Sequence, residues 1–181
     1  MEVIRLKDKE FKLFIPEKDI RAAIGRMAGE IRRDAEHTNP LFVGILNGAF
    51  MFIADLMHCL NGPYELTFAR YASYSGTRTG GVIHEIMPVR TPVEGRHLIL
   101  LEDIIDTGHT MHYLTGKLKK EGALEVKLAT LLFKPDALQY SDVAPDYVGL
   151  SIPNDFIVGY GLDYDGLGRA YGDIYKLVTN E

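Results

Sequence analysis

The sequence has almost no cysteine: Cys59 stands alone, which excludes an intramolecular disulfide and any cysteine-rich zinc module. Nor does it carry a long apolar run. The longest stretch free of Asp, Glu, Lys and Arg extends from His37 to Ala54. Thr38, Asn39, Pro40, Gly44, Asn47 and Gly48 interrupt it, well short of the roughly 18 continuous apolar residues that a membrane span requires. There is no basic excess, and a formal net charge of -5 gives no broad attraction to nucleic acid. The opening residues Met1 to Asp8 mix charges of both signs and lack the apolar core of an export signal, so a cytoplasmic location is expected. Three common catalytic signatures are missing as well: a Gly-x-Ser-x-Gly elbow, a Walker loop and a His-Glu-x-x-His pair.

What is present suits one conventional core. Of the 181 residues, 46% are hydrophobic and 25% charged, which fits a single domain able to remove about two-thirds of its surface from water. Pro16 opens a segment to Glu36 in which Ile20, Ile24, Met27 and Ile31 recur at helical spacing. Leu41 to Leu46 reads as a buried strand, Asn47-Gly48 as a turn and Ala49 to Leu60 as a helix. Tyr64 to Tyr71 predicts another strand. The small, polar, Gly-rich stretch Ser73 to Gly81 predicts a mobile loop, with Val82 to Met87 returning from it. His97 to Leu101 is a continuous apolar run, followed by a loop from Glu102 to Thr110 and a helix carrying Met111, Leu114 and Leu118. Further strands are expected at Val126 to Phe133, Tyr147 to Leu150, Phe156 to Val158 and near Ile174 to Val178. Such alternation predicts an α/β fold with a mostly parallel twisted sheet flanked by helices, whose ligands sit at the carboxyl ends of the strands.

The segment Glu102 to Thr110 draws the chemical argument. Thr107, Gly108 and Thr110 offer hydroxyls and an approachable backbone at a helix N-terminus, which favours a phosphate. Glu102, Asp103 and Asp106 place three carboxylates in the same stretch, and these repel a bare polyphosphate. A phosphosugar resolves the conflict, its phosphate on the turn and its diol on the acids, which can also retain Mg²⁺. The plainer reading is an acidic helix entry in which Asp106 or Thr107 serves as the cap.

The stretch Leu101-Glu102-Asp103-Ile104-Ile105-Asp106-Thr107-Gly108-His109-Thr110-Met111 resembles the phosphoribosyl-pyrophosphate (PRPP) motif of type I phosphoribosyltransferases, and within them the hypoxanthine phosphoribosyltransferase branch. The likeness extends to Leu46-Asn47-Gly48-Ala49, Ser73-Tyr74, Phe133-Lys134 and Phe156 to Tyr164, in the family's order. It implies a single domain over residues 1–181, with a small hood formed from parts of the N- and C-terminal regions. It also implies salvage of a 6-oxopurine: hypoxanthine or guanine plus PRPP gives the nucleoside monophosphate and pyrophosphate. Mg²⁺ is the implied cofactor, and a homodimer or homotetramer the implied assembly.

Roles follow from the resemblance residue by residue. Glu102 and Asp103 would address the ribose hydroxyls and Mg²⁺, and Asp106 would be the general base at purine N7. Ile105, Thr107, Gly108, His109 and Thr110 complete the PRPP set. Leu46, Asn47, Gly48 and Arg169 would serve pyrophosphate, with a cis peptide possible between Leu46 and Asn47. Many relatives carry lysine where this chain has Asn47, which removes a charge. Lys134 would donate to the purine O6, Phe156 would stack on the base and the Ile157 main chain would read its edge. Asp163 would lie near the purine and a second Mg²⁺, and Ser73-Tyr74 would begin a loop that closes on the complex. Two other readings stay open: a xanthine-preferring relative, and a regulator of the same fold that binds nucleotide and RNA without turnover. His109 and His112 lack a third soft ligand for zinc, and Asp163-Tyr164-Asp165-Gly166 fails as a calcium loop because Gly161 and Gly172 occupy ligand positions. Cys59 falls among Phe52, Leu56 and Leu60, the pattern of a core residue.

Overall fold

The computed structural model describes residues 2–73 and 83–179. Its main sheet combines β3 (Leu41–Leu46), β4 (Glu65–Ser73), β5 (Ile83–Met87), β6 (His97–Ile105), β7 (Glu125–Phe133) and β8 (Tyr147–Ser151) in the order β5-β4-β3-β6-β7-β8. Every neighbouring pair is parallel except β4 with β5. The mostly parallel sheet read from the apolar runs is therefore present. Tyr74 and the rest of the Gly-rich segment through Val82 lie outside the described residues.

Helices cover both faces. The helix α1 (Glu17–Ala35) buries Ile20, Ile24, Met27 and Ile31, and burial of such side chains contributes about 1.5–3 kcal/mol each before chain entropy is set against it. It packs with α2 (Phe50–Leu60) on the face that presents Phe42, Ile99, Leu101 and Leu131. The opposite face presents Val43, Leu98, Leu100 and Leu128 to α3 (His109–Lys120). Strands covered on both sides have no polar face, which is why β3 reads as an unbroken apolar run.

A second, antiparallel sheet draws on both ends of the chain: β1 (Val3–Leu6), β2 (Lys9–Ile15), β10 (Ile174–Leu177) and β9 (Ile157–Val158), in that order. Leu6, Phe11, Val158 and Tyr175 form its small core. The hairpin of β1 and β2 did not emerge from the sequence reading, because exposed charges alternate there with the few buried positions.

Two boundaries differ from the sequence expectation. The strand β6 does not stop at Leu101 but continues to Ile105, so Glu102, Asp103 and Ile105 lie on a strand rather than in a loop. Register explains this: Glu102 pairs with Thr130, Ile104 with Leu132 and Ile105 with Phe133, so the parallel ladder carries the acids along although they break the apolar pattern. The helix α3 begins at His109 behind Gly108, whose φ of 81° makes the sharp entry, and no side chain caps it. Asp106 is thus not a helix cap, and Thr107 offers only a long 3.5 Å contact from its hydroxyl oxygen to the His109 N–H.

Candidate active site

The site lies where the parallel strands end. Beyond β3, the Leu46-Asn47 peptide bond is cis, and the chain turns through Gly48 into α2. Gly48 presses on the end of β6: a Cβ there would fall 1.7 Å from Asp103 Oδ2, so only glycine allows the two segments to approach this closely.

The two acids of β6 are withdrawn from solvent to different degrees. Asp103 is 8% exposed and accepts the Ile104 N–H at 2.8 Å, while Glu102 has an oxygen, Oε2, that is buried and accepts nothing. Burial pushes the Glu102 carboxyl well above the ordinary carboxylate range, and the neighbouring Asp103 charge adds to it. Burial also raises Asp103, against the opposing pull of its hydrogen bonds and of Arg169.

Asp106 follows three residues later in a different environment, with its side chain 44% exposed. Lys134 leaves the end of β7 and donates from Nζ to Asp106 Oδ2 at 2.8 Å. The β6–β7 register makes the pair possible: Ile105 lies beside Phe133, so the residues that follow each strand emerge together, and the Lys134 N–H donates to the Ile105 carbonyl at 3.0 Å. Lys134 is itself buried, at 6% exposure, contrary to what an isolated lysine after a strand suggests. Its ammonium also reaches Asn154 Oδ1 at 3.4 Å. Asn154 was not anticipated, since nothing in the Pro153-Asn154-Asp155 turn marks it and only the folded contact reveals it.

Two hollows meet at Ile104 and Asp106. One, of about 200 Å³, is lined by Glu102 and the run Ile104 to Met111 at the start of α3. The other, of about 310 Å³, is bounded by Gly48, Asp103, Lys134, Phe156, Asp163 and Arg169, among others. Phe156 is 46% exposed, where an apolar residue before a strand would ordinarily be core. Arg169 reaches Asp163 at 2.7 Å and the Gly161 carbonyl at 2.7 Å, and Asp163 also accepts the Gly166 N–H at 2.7 Å.

Most residues singled out from the sequence thus converge on one cleft, Ile157 included. Leu46 and Asn47 line neither hollow, and Ser73 is the last residue of β4. Among the described residues, no group of three or more His, Cys, Asp or Glu side chains is arranged to hold a metal ion. No helix among them is long and apolar enough to cross a membrane.

Comparison with known proteins agrees with this geometry. Residues 16–165 match the phosphoribosyl transferase domain family. The chain is 38% identical over 154 residues to the hypoxanthine-guanine phosphoribosyltransferase of Streptococcus pneumoniae R6, covering 84% of this chain and 85% of that protein. It is 41% identical over 154 residues to the bifunctional protein TilS/HprT of Listeria monocytogenes, where it covers 84% of this chain but spans only 24% of the relative's length. Among solved structures, a variant hypoxanthine phosphoribosyltransferase of Trypanosoma cruzi complexed with the product IMP superposes with a TM-score of 0.85 at 31% identity, covering 97% of this chain and 93% of that one. By its fold and by its match over most of the chain, the chain belongs to the phosphoribosyltransferase family, in the hypoxanthine-guanine branch.

Proposed function

We propose that this protein transfers the 5-phosphoribosyl group of PRPP to hypoxanthine or guanine, yielding the nucleoside monophosphate and pyrophosphate. One observation carries the reading: the ends of β6 and β7 place an acceptor, Asp106, and a donor, Lys134, 2.8 Å apart at the meeting point of a hollow at the N-terminus of α3 and a hollow edged by exposed Phe156. A 6-oxopurine offers the complement, a proton at N7 and an acceptor at O6.

In this reading the 5′-phosphate lies on the turn Thr107 to Thr110, where the free N–H groups of α3 and the Thr107 and Thr110 hydroxyls donate to it. The backbones of Ile105, Gly108 and His109 shape that turn. Glu102 and Asp103 accept the ribose hydroxyls. Phe156 stacks on the base and the Ile157 main chain reads its edge, which holds N9 in line with the anomeric carbon. As the bond from that carbon to pyrophosphate breaks, positive charge grows on the ribose and negative charge on the leaving group. Arg169 and the Gly48 backbone face the latter, with Leu46 and Asn47 leading into that turn, and Asp106 takes the proton from N7. Ser73 and Tyr74 would begin the segment that shields the activated ribose from water.

The donor set fits Mg²⁺ without forming a cage. Glu102 and Asp103 are adjacent, hard oxygen donors, and the orphaned Glu102 Oε2 is suited to a cation. With no third ligand clustered among the described residues, diphosphate and water oxygens would supply its remaining ligands. When bound, Mg²⁺ supplies positive charge to the departing pyrophosphate. Asp163 already meets Arg169 with one oxygen and the Gly166 N–H with the other, and each oxygen keeps a lone pair that would reach a second cation.

We assign the chain one domain whose hood is the sheet of β1, β2, β9 and β10, and place it in the cytoplasm, where a lone Cys59 has no need of a partner. The assembly is a homodimer or homotetramer, for which exposed Phe50, Phe68, Ile86 and Met87 supply apolar surface. The test supplies PRPP and Mg²⁺ with hypoxanthine, guanine, xanthine, adenine or uracil in turn and identifies the nucleotides formed. Conversion of hypoxanthine or guanine is expected. Adenine turnover at comparable efficiency would sink the assignment, because its 6-amino donor opposes the Lys134 ammonium.

A further inference from the structure

The segment that follows β9 is fastened to α2 by a side chain that does not line the cleft. Gly159, Tyr160 and Gly161 follow one another with φ values of 101°, 47° and 96°, all left-handed. Glycine takes that conformation freely, whereas tyrosine does so only where its surroundings hold it. The Tyr160 ring is 1% exposed and packs with the cluster beneath α1 and α2, and its hydroxyl donates to Asp55 Oδ2 of α2 at 2.6 Å. Arg21 of α1 lies 3.7 Å from the same carboxylate. Burial, reinforced by the Asp55 hydrogen bond, raises the phenol far above its ordinary value, so it remains a donor at any working pH.

The consequence falls on the next residue. A Cβ on Gly161 would lie 2.0 Å from the Gly48 carbonyl oxygen, so the left-handed turn rests directly on the loop after β3. The same residue exchanges bonds with Arg169: its carbonyl accepts from Arg169 Nη1 at 2.7 Å, and its N–H donates to the Arg169 carbonyl at 2.9 Å. Gly161 therefore touches both groups assigned above to pyrophosphate, and Tyr160 determines where Gly161 sits.

We propose that Tyr160, through its hydrogen bond to Asp55, is a positioning residue for pyrophosphate, setting the distance between the Arg169 guanidinium and the Gly48 loop. The inference rests on the reading of Arg169 and Gly48 as the pyrophosphate side of the site. A purely structural tyrosine would affect stability and the active fraction alone. A positioning tyrosine changes the affinity for one substrate selectively.

The experiment follows the reverse reaction with IMP and pyrophosphate varied separately, together with calorimetric binding of magnesium pyrophosphate. Tyr160→Phe is expected to raise the KM and the Kd for pyrophosphate about tenfold while the KM for IMP stays within about twofold. Asp55→Ala should do the same, and the double variant Tyr160→Phe/Asp55→Ala should be no worse than either single one. Asp55→Asn, whose amide oxygen still accepts from the phenol, should behave as the parent protein. A fall in melting temperature or kcat with an unchanged KM for pyrophosphate overturns the proposal. Arg169→Ala serves as the control: if it raises the KM for pyrophosphate and Tyr160→Phe does not, the positioning role alone is wrong. If neither does, the pyrophosphate reading and the role built on it fall together.

Discussion

The two halves of the cleft are made in different ways. The half proposed for PRPP comes from the single run Glu102 to Thr110, where a strand, a turn and a helix start follow one another. The half proposed for purine and pyrophosphate draws on Gly48, Lys134, Phe156, Asp163 and Arg169, residues from separate stretches brought together by strand register and by the docking of one sheet on another. The first half is contiguous in the chain, although the β6–β7 register holds its acids in the ladder. The second needs the whole fold. Substitutions in the run should therefore give deep chemical defects in a normally folded protein, whereas those across the cleft should give graded losses of discrimination or affinity.

The largest effect is expected from Glu102→Ala with Asp103→Ala, which should lower kcat/KM for PRPP by about 10⁴-fold, roughly 10² for each lost electrostatic contact. The metal-free variant should also melt higher than the parent at neutral pH. Both carboxyls are held above their ordinary values by burial, so the folded state binds protons more tightly than the unfolded one. Their contribution to stability therefore falls as pH rises. A variant that melts lower at neutral pH would show that the pair supports the fold rather than straining it.

Asp106→Asn should slow single-turnover chemistry by about 10²-fold, toward the low end of general-base effects, because the amide keeps the shape and one acceptor oxygen but cannot take the proton from N7. PRPP binding should be preserved. Unchanged single-turnover rates across pH would remove Asp106 from the reaction. Across the cleft, Lys134→Gln should lower the preference for hypoxanthine over adenine by about 10- to 100-fold, since an amide can both donate and accept. An undiminished preference would mean that the base is read elsewhere. The smallest change is Asn47→Lys, which should lower the KM for pyrophosphate by no more than about threefold, because an exposed charge in water gains little. A tenfold effect would place that side chain against the ligand.

The same contrast explains what could be read from the chain before folding. The strands β3, β6 and β7 announce themselves because strands covered on both faces need apolar residues throughout. The motif that follows is legible for the same local reason. The extension of β6 through Glu102 and Asp103 was hidden, because hydrogen-bond register holds those residues in the ladder and side-chain polarity does not report it. Lys134 is the clearest case. Read alone it is a solvated charge, and its burial depends on Asp106, 28 positions earlier and brought alongside by a parallel crossover. The β1–β2 hairpin was missed for the opposite reason: a small outer sheet can stand on a few apolar contacts, too few to dominate the pattern.

The contact between Gly48 and Asp103 has a consequence for how this sequence can vary. With 1.7 Å between an added Cβ and the carboxylate, positions 48 and 103 share one volume, although they are 55 residues apart in the chain. A side chain can enter at 48 only after the one at 103 has been shortened or turned away. Evolution or a designer would then meet the two sites as a single unit of choice, to be exchanged together or left alone.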